Sequence, residues 1–250
     1  MTEAYRTPRA LRKSALFILA LLLAAQPVVA SDTATVRVLR AQDGDSLRLA
    51  DRREVRLIGV NAPELGRDGA PDQPLAVAAR DRVDKLVRGR TVQLQHDLER
   101  LDRYGRTLAY VLLPDGRDLQ EILLREGIAW FVAIAPNVAR REAYRAAEAD
   151  ARAAKRGVWA QPEYTPTPAE QLTPRDTGFR QVVGTVTHVE HRADWAILRL
   201  APGVELTLPR GSTAPASFAG KRVVARGWLT AYKNGLRMRI TDPTMLETLP

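Results

Sequence analysis

The sequence predicts a small β-barrel carrying helices, followed by a second, smaller all-β barrel. Three observations predict it. Between residues 34 and 160, five short strand patterns are interleaved with three helical ones. Residues 161–175 then carry Pro162, Pro166, Pro168 and Pro174 in a polar stretch, which reads as a linker without packed helix or sheet. Beyond it only strand patterns and turn signals remain. With 250 residues, the chain has room for one large domain or two small ones.

Each element has a local cause. Residues 34–41 and 45–50 form a hairpin: Thr35, Val36 and Val38 are β-branched, and Asp43-Gly44 is a turn signal. In a third strand, Val55, Leu57 and Gly59 alternate with Arg56 and Ile58. Residues 74–88 read as a helix whose apolar face is Leu75, Val77, Ala78, Val83, Leu86 and Val87, stopped by Gly89. Residues 91–94 and 107–113 are two more strands. Asp118 caps a helix over 119–125, closed by Gly127. Asn137 opens a longer helix to Arg156, with Gly157 as its C-cap. After the linker, strands are predicted at 182–189, 195–200, 205–208, 222–229 and 236–240. Pro202-Gly203 and Asn234-Gly235 supply turns.

Charge and the N-terminus bound the setting. The formal net charge is +9, which favours a polyanionic partner. With no cysteine, disulfides and thiolate metal sites are excluded. Arg6, Arg9, Arg12 and Lys13 precede an apolar run over residues 15–25, and Val28-Val29-Ala30 offers small residues for a signal peptidase. The run is short for a bilayer span, and Gln26 and Pro27 interrupt its extension as an uncleaved anchor. The expected organisation is a signal peptide over 1–30, a first domain over 31–160, a linker over 161–175 and a β domain over 176–250. The expected product is an exported monomer, periplasmic or secreted, with no stable membrane insertion after cleavage.

Residues 43–64 concentrate the chemistry. Asp43 and Asp45 flank Gly44, Arg56 sits on an alternating strand, and Asn61-Ala62-Pro63-Glu64 ends a stiffened loop in another acid. About forty residues on, Asp102-Arg103-Tyr104-Gly105-Arg106 adds further basic groups. Acids, an amide, a carbonyl and arginines brought together are what metal-assisted phosphodiester cleavage needs. Guanidinium groups grip phosphate oxygens bidentately, and a hard cation takes carboxylate, amide and carbonyl oxygens.

The order D-G-D, R-L-I-G-V-N-A-P-E and D-R-Y-G-R resembles the staphylococcal nuclease (thermonuclease) family over about residues 33–160. The resemblance implies an oligonucleotide-binding (OB) type barrel and a Ca2+-dependent nuclease acting on DNA, with RNA an open second substrate. It implies that Asp45 binds the metal, with Asn61 where the family usually has a second aspartate and the Ala62 carbonyl as a further ligand. Glu64 matches the general base, and Arg56 and Arg106 match the phosphate-gripping pair. Arg103 and Tyr104 match residues at a terminal phosphate, and Asp43 supports the metal site from behind. Ala133 and Ala135 stand where the family carries two tyrosines. The resemblance further implies that the bond broken lies on the 5′-oxygen side, leaving 3′-phosphate ends. The short Ala/Ser segment at 214–219 occupies the place where OB folds carry a helix, so the tail reads as a second OB-like barrel.

Several features keep two readings. Trp130 and Phe131 are base-stacking residues or core. The helix over 138–156 reads as a solvated basic face. Trp195, Trp228 and Tyr232, interleaved with Arg222, Arg226, Arg237 and Arg239, form a platform for single strands or a small solubilised core. The rivals to a nuclease are a non-catalytic nucleic-acid-binding module and an envelope protein using both barrels for protein contacts.

Overall fold

The computed structural model describes residues 33–201, 203–209 and 215–250. The expected signal peptide lies outside the described residues, as does Pro202 of one expected turn. Strands β1 (Thr33–Ala41), β2 (Ser46–Leu49) and β3 (Glu54–Leu57) follow one another through tight turns. A two-residue strand, β4 (Val60–Asn61), precedes helix α1 (Ala76–Val87). Then come β5 (Thr91–Gln95), β6 (Thr107–Leu112), α2 (Leu119–Glu126), β7 (Trp130–Phe131) and α3 (Arg141–Ala153). The first five-stranded barrel closes in the order β1-β2-β3-β6-β5, with β3 and β6 parallel and β4 paired to β7 outside it.

Helix α1 buries Ala76, Ala79, Val83, Leu86 and Val87, a clean i, i+3, i+7 stripe. The expected face is thus corrected: Val77 and Ala78 point to solvent. The reason is close approach. A Cβ on Gly44 would come within 2.8 Å of the Ala79 Cβ and 2.5 Å of the Ala62 Cβ, so the helix can reach the β1–β2 turn only on its alanines. Asp84 then accepts from the Ala41 N–H at 2.9 Å, fastening the helix to that turn.

Helix α2 has the expected ends: Asp118 accepts from the Glu121 N–H at 3.0 Å, and Gly127 closes it at a φ of 70°. Gln120, buried on this helix, donates to Ala109 O and accepts from Val111 N at 3.0 Å, fixing α2 on β6. The third helix is shorter than expected. It begins at Arg141 because the Asn137 amide is occupied elsewhere, bonding Glu99 N and Glu99 O at 2.8 Å. It ends at Ala153, and Gly157 opens a separate 3-10 turn, Gly157–Ala160.

The proline-punctuated segment is ordered, contrary to the expectation that it cannot pack. It holds 3-10 turns at Pro162–Tyr164 and Ala169–Gln171, with β8 (Thr167–Pro168) between them. Strand β8 runs parallel to Val182 and Val183 at a sheet edge, where a proline lacking its N–H breaks no ladder.

The tail supplies β9 (Gly178–Thr185), β10 (His188–His191), β11 (Trp195–Ala201), β12 (Val204–Pro209), β13 (Arg222–Tyr232), β14 (Gly235–Arg239) and β15 (Leu246–Thr248). They follow the order β10-β11-β12-β14-β13-β9-β8, with β15 on β13. Strands β12 and β14 are parallel, like β3 and β6. Strand β9 runs on into β10 through Val186 and Thr187, so the expected single strand over 182–189 starts earlier and is broken in two. The Ala/Ser segment becomes a 3-10 turn, Pro215–Phe218. Buried apolar residues of both regions form one contiguous core.

Two features of the packing correct the sequence reading. Glu148 of α3 is buried, not solvated, and pairs with Arg226 of β13 at 2.7 Å, each side chain only 6 % exposed. Arg226 also donates to Phe131 O at 2.8 Å, and Glu148 accepts from Phe131 N at 2.7 Å. Arg226 is therefore a strut tying β13 to α3 and β7 and no part of a strand-binding face. Trp130 and Phe131 are core residues. Trp159 is half-buried, with the guanidinium groups of Arg152 and Arg226 each 5.3 Å from its ring centre, and Val158 beside it is buried.

Candidate active site

The site is built on the turns that enter and leave three strands of the first barrel. Asp43 accepts the Asp45 N–H at 2.9 Å, curling the β1–β2 turn so that Asp45 points inward. There its carboxylate accepts from Ala62 N at 2.8 Å and from Ser46 Oγ at 3.1 Å. The loop after β3 is thereby pinned to the turn before β2.

Arg56 leaves β3 and folds over the same loop. Its Nη1 donates to Leu57 O at 2.7 Å and Val60 O at 2.8 Å. Its Nη2 meets Asp45 Oδ2 at 3.1 Å and Asn61 Oδ1 at 3.2 Å. Two side-chain oxygens from separate elements thus converge on one cationic nitrogen. The Ala62 carbonyl lies beside them, accepting from Asn61 Nδ2 at 3.4 Å. Among the described residues no cluster of three or more His, Cys, Asp or Glu is assembled for a metal. A cation here would rest on carboxylate, amide and carbonyl oxygens, a donor set that fits a hard ion.

The electrostatics agree with that fit. Burial, then the charge of Asp45, pushes the Asp43 carboxyl up to about 7, against the pull of Arg56. Glu64 stands at the mouth, exposed but hemmed in. Loss of surrounding water and then Asp45 raise its carboxyl above the usual range, opposed by Arg56, Arg67 and Arg106. Its backbone is fixed by Gln73, which accepts from Glu64 N at 2.9 Å and donates to Glu64 O at 3.0 Å.

Arg106 begins the second group. Asp102 holds it twice, accepting from Arg106 N at 2.9 Å and Arg106 Nε at 2.7 Å. Burial pushes the Asp102 carboxyl up, but these bonds and the Tyr104 N–H outweigh it and keep it below its ordinary value. Asp102 thus serves Arg106. Arg103 instead donates to Tyr104 Oη at 2.6 Å, with its guanidinium 4.8 Å from that ring's centre. Tyr104 is 69 % exposed.

All nine expected residues except Ala62 line one open cleft of about 1860 Å3. That is well above the roughly 300–1,000 Å3 of a small-molecule pocket. Its far wall, Arg192, Trp195, Trp228 and Arg239 among it, comes from the second sheet. The sequence offered one hint of this meeting, the small residues Ala133 and Ala135. Ala133 N donates to Met245 Sδ and Ala135 N to Thr241 Oγ1, each at 3.3 Å, so the tail packs where larger side chains would project.

Comparisons with known proteins fall on the same segment. The family described as staphylococcal nuclease homologue matches residues 54–161, which hold Arg56 through Arg106 but not Asp43 or Asp45. The thermonuclease of Staphylococcus hyicus is 34% identical over 129 residues, covering 50% of this chain and 75% of that protein. Endonuclease YncB of Bacillus subtilis (strain 168) is 35% identical over 130 residues, covering 50% and 61%. An uncharacterized endonuclease of Escherichia coli is 31% identical over 151 residues, covering 59% and 91%.

Proposed function

Because the chain belongs to the staphylococcal nuclease homologue family, we propose that it is a Ca2+-dependent nuclease hydrolysing phosphodiester bonds in DNA, with RNA an open second substrate. The observation that carries the reading is the convergence of Asp45 Oδ2 and Asn61 Oδ1 on one cationic atom, between Glu64 and a basic cleft. Ca2+, when bound, supplies positive charge against the scissile phosphate and lowers the cost of forming a nucleophile beside it.

The chain's own groups do the rest. Glu64 accepts a proton from the attacking water; its raised affinity for protons suits a base that must take one and release it again. Water oxygen bonds to phosphorus as the bond to the 5′-oxygen breaks. The departing oxygen takes a proton from solvent in the open cleft, leaving a 3′-phosphate and a 5′-hydroxyl. Arg106, held in one orientation by Asp102, offers its remaining N–H groups to the phosphate as charge builds on it. Arg56 commits Nη1 to two carbonyls and Nη2 to Asp45 and Asn61, so it brings its positive charge to the phosphate from a fixed position. Arg103 and Tyr104, exposed at the rim, meet a terminal phosphate.

Digestion of single- and double-stranded DNA and RNA tests this, in Ca2+ and in chelator, with Glu64→Gln beside the parent. Cleavage in Ca2+ alone, lost in the variant, is expected. Equal cleavage in chelator removes the metal-assisted mechanism. The N-terminal segment supports export of the chain, and N-terminal sequencing of the exported fraction tests it: a mature end near residue 31 is expected. Among the described residues no helix is long and apolar enough to cross a membrane.

A further inference from the structure

The cleft does not stop at the first barrel, and its second wall has a pattern of its own. In the second sheet, period-2 geometry turns Ala196, Leu198, Leu206, Leu208, Leu236 and Met238 into the core. At alternate positions, Trp195, Ile197, Thr207, Arg237 and Arg239 line the cleft. Register aligns Ile197 of β11 with Thr207 of β12, and Thr207 with Arg239 of β14, so one cross-strand row leads from Ile197 to Arg239. The Arg239 guanidinium lies 4.6 Å from the Trp195 ring centre, and Trp228 is 38 % exposed on β13.

Charge on this wall is unevenly committed. Arg237 is held by Glu205 at 2.7 Å and stacks on Tyr232, and Arg192 pairs with Glu190. Arg239 has no carboxylate partner among the described residues, nor does Arg40 across the cleft. A cation stacked on one indole, with a second, exposed indole lining the same cleft, presents flat apolar area and a free positive charge together. That combination takes bases on the rings and phosphates on the guanidinium. Duplex nucleic acid hides its base faces, so such a wall discriminates in favour of single strands.

The wall is also rigidly joined to the catalytic end. Asn61 of β4 pairs with Trp130 of β7. The Trp130 ring lies 5.2 Å from Phe179, and Phe179 lies 5.2 Å from Trp228. The buried Arg226–Glu148 pair locks the same junction.

We propose that the Trp195, Trp228 and Arg239 face of the second sheet is a single-strand binding surface continuous with the catalytic cleft. A polynucleotide cut at Glu64 is held on this face by the segment beyond the scissile bond. The proposal rests on the nuclease reading only for what happens at the catalytic end; the binding itself needs no turnover.

The test uses the full chain in chelator, where no cutting is expected, and fluorescence anisotropy of labelled single-stranded DNA of about four and about 20 nucleotides. The longer strand is expected to bind at least about tenfold tighter than the shorter. Trp195→Ala and Arg239→Gln are each expected to weaken binding of the longer strand about tenfold. Arg175→Ala, on an exposed residue outside the cleft, is expected to leave it unchanged. Thermal unfolding checks that each variant is folded, and exposed Arg239 keeps the test valid if Trp195→Ala is unstable. Unchanged binding of the longer strand in folded Arg239→Gln overturns the proposal, as does duplex of the same length binding as tightly as the single strand. Hydrolysis in Ca2+ is scored on the same preparations. A parent that binds as described but does not cut keeps this surface and removes the nuclease reading. A parent that cuts while the variants bind like it keeps the nuclease and removes the surface.

Discussion

The two sheets share a strand order and almost nothing else. With β9 and β10 counted as one strand and β8 and β15 set aside, each runs first, second, third, fifth, fourth, with the third and fifth parallel. In both, an aspartate stands immediately before the second strand: Asp45 before Ser46, Asp194 before Trp195. In the first sheet that aspartate is buried, and the residue facing Ser46 on the third strand is Arg56. In the second it is exposed, and the residue facing Trp195 is Pro209. One connectivity thus supports a buried, charge-rich turn in one copy and a flat aromatic wall in the other. The difference shows that strand order sets where a cleft can form, while a handful of side chains decides its chemistry.

That division can be broken experimentally, most severely at the proposed base, Glu64. Glu64→Gln should lower turnover about 10²- to 10⁴-fold, the usual worth of a positioned base. Single-turnover rates on a short strand measure it, and a full rate in the variant would return the acid to a structural role. Next is the strut from β13 to α3 and β7. Arg226→Met leaves Glu148 charged, buried and unpaired, so stability should fall by about 3–5 kcal/mol. Urea unfolding reads this directly. Glu148→Gln/Arg226→Met together should recover much of the loss; equal losses in single and double variants would mean that the pair is not the cause.

A smaller effect is expected where the two walls meet the phosphate. Arg106→Lys loses the bidentate fork that Asp102 orients and should cost on the order of 10²-fold in turnover. Retention of full rate would withdraw the phosphate role. The smallest effect concerns Asn61. An amide oxygen ligates Ca2+ but brings no charge, and affinity of such sites follows the number of charged ligands. Asn61→Asp should lower the Ca2+ concentration for half-maximal cleavage by about tenfold, roughly 1.4 kcal/mol, with little change in the saturated rate. A higher requirement in the variant would show that Asn61 is not a ligand.

Local signals read correctly wherever the cause is local. Asp43 and Gly44 make the turn they announce, Asp118 and Gly127 bound α2, and β-branched runs become strands. These depend on neighbours within a few residues, which a linear pattern records. Readings failed where a distant partner decided the outcome. The face of α1 turned on the space beside Gly44, the start of α3 on a clamp between Asn137 and Glu99, and the proline segment on an edge of β9.

By itself, the sequence determined the first barrel's strands and the set of acids, amide and arginines that its turns carry, because each is specified within one motif. Tertiary structure alone decided that Arg56 spans Asp45 and Asn61, that Glu148 and Arg226 meet across 78 residues, and that the second sheet walls the cleft beside them. The reason is physical. Periodicity says which side of a strand is buried, but not what lies opposite. A charged residue on an outward face reads as solvated until another sheet is packed against it and removes the water.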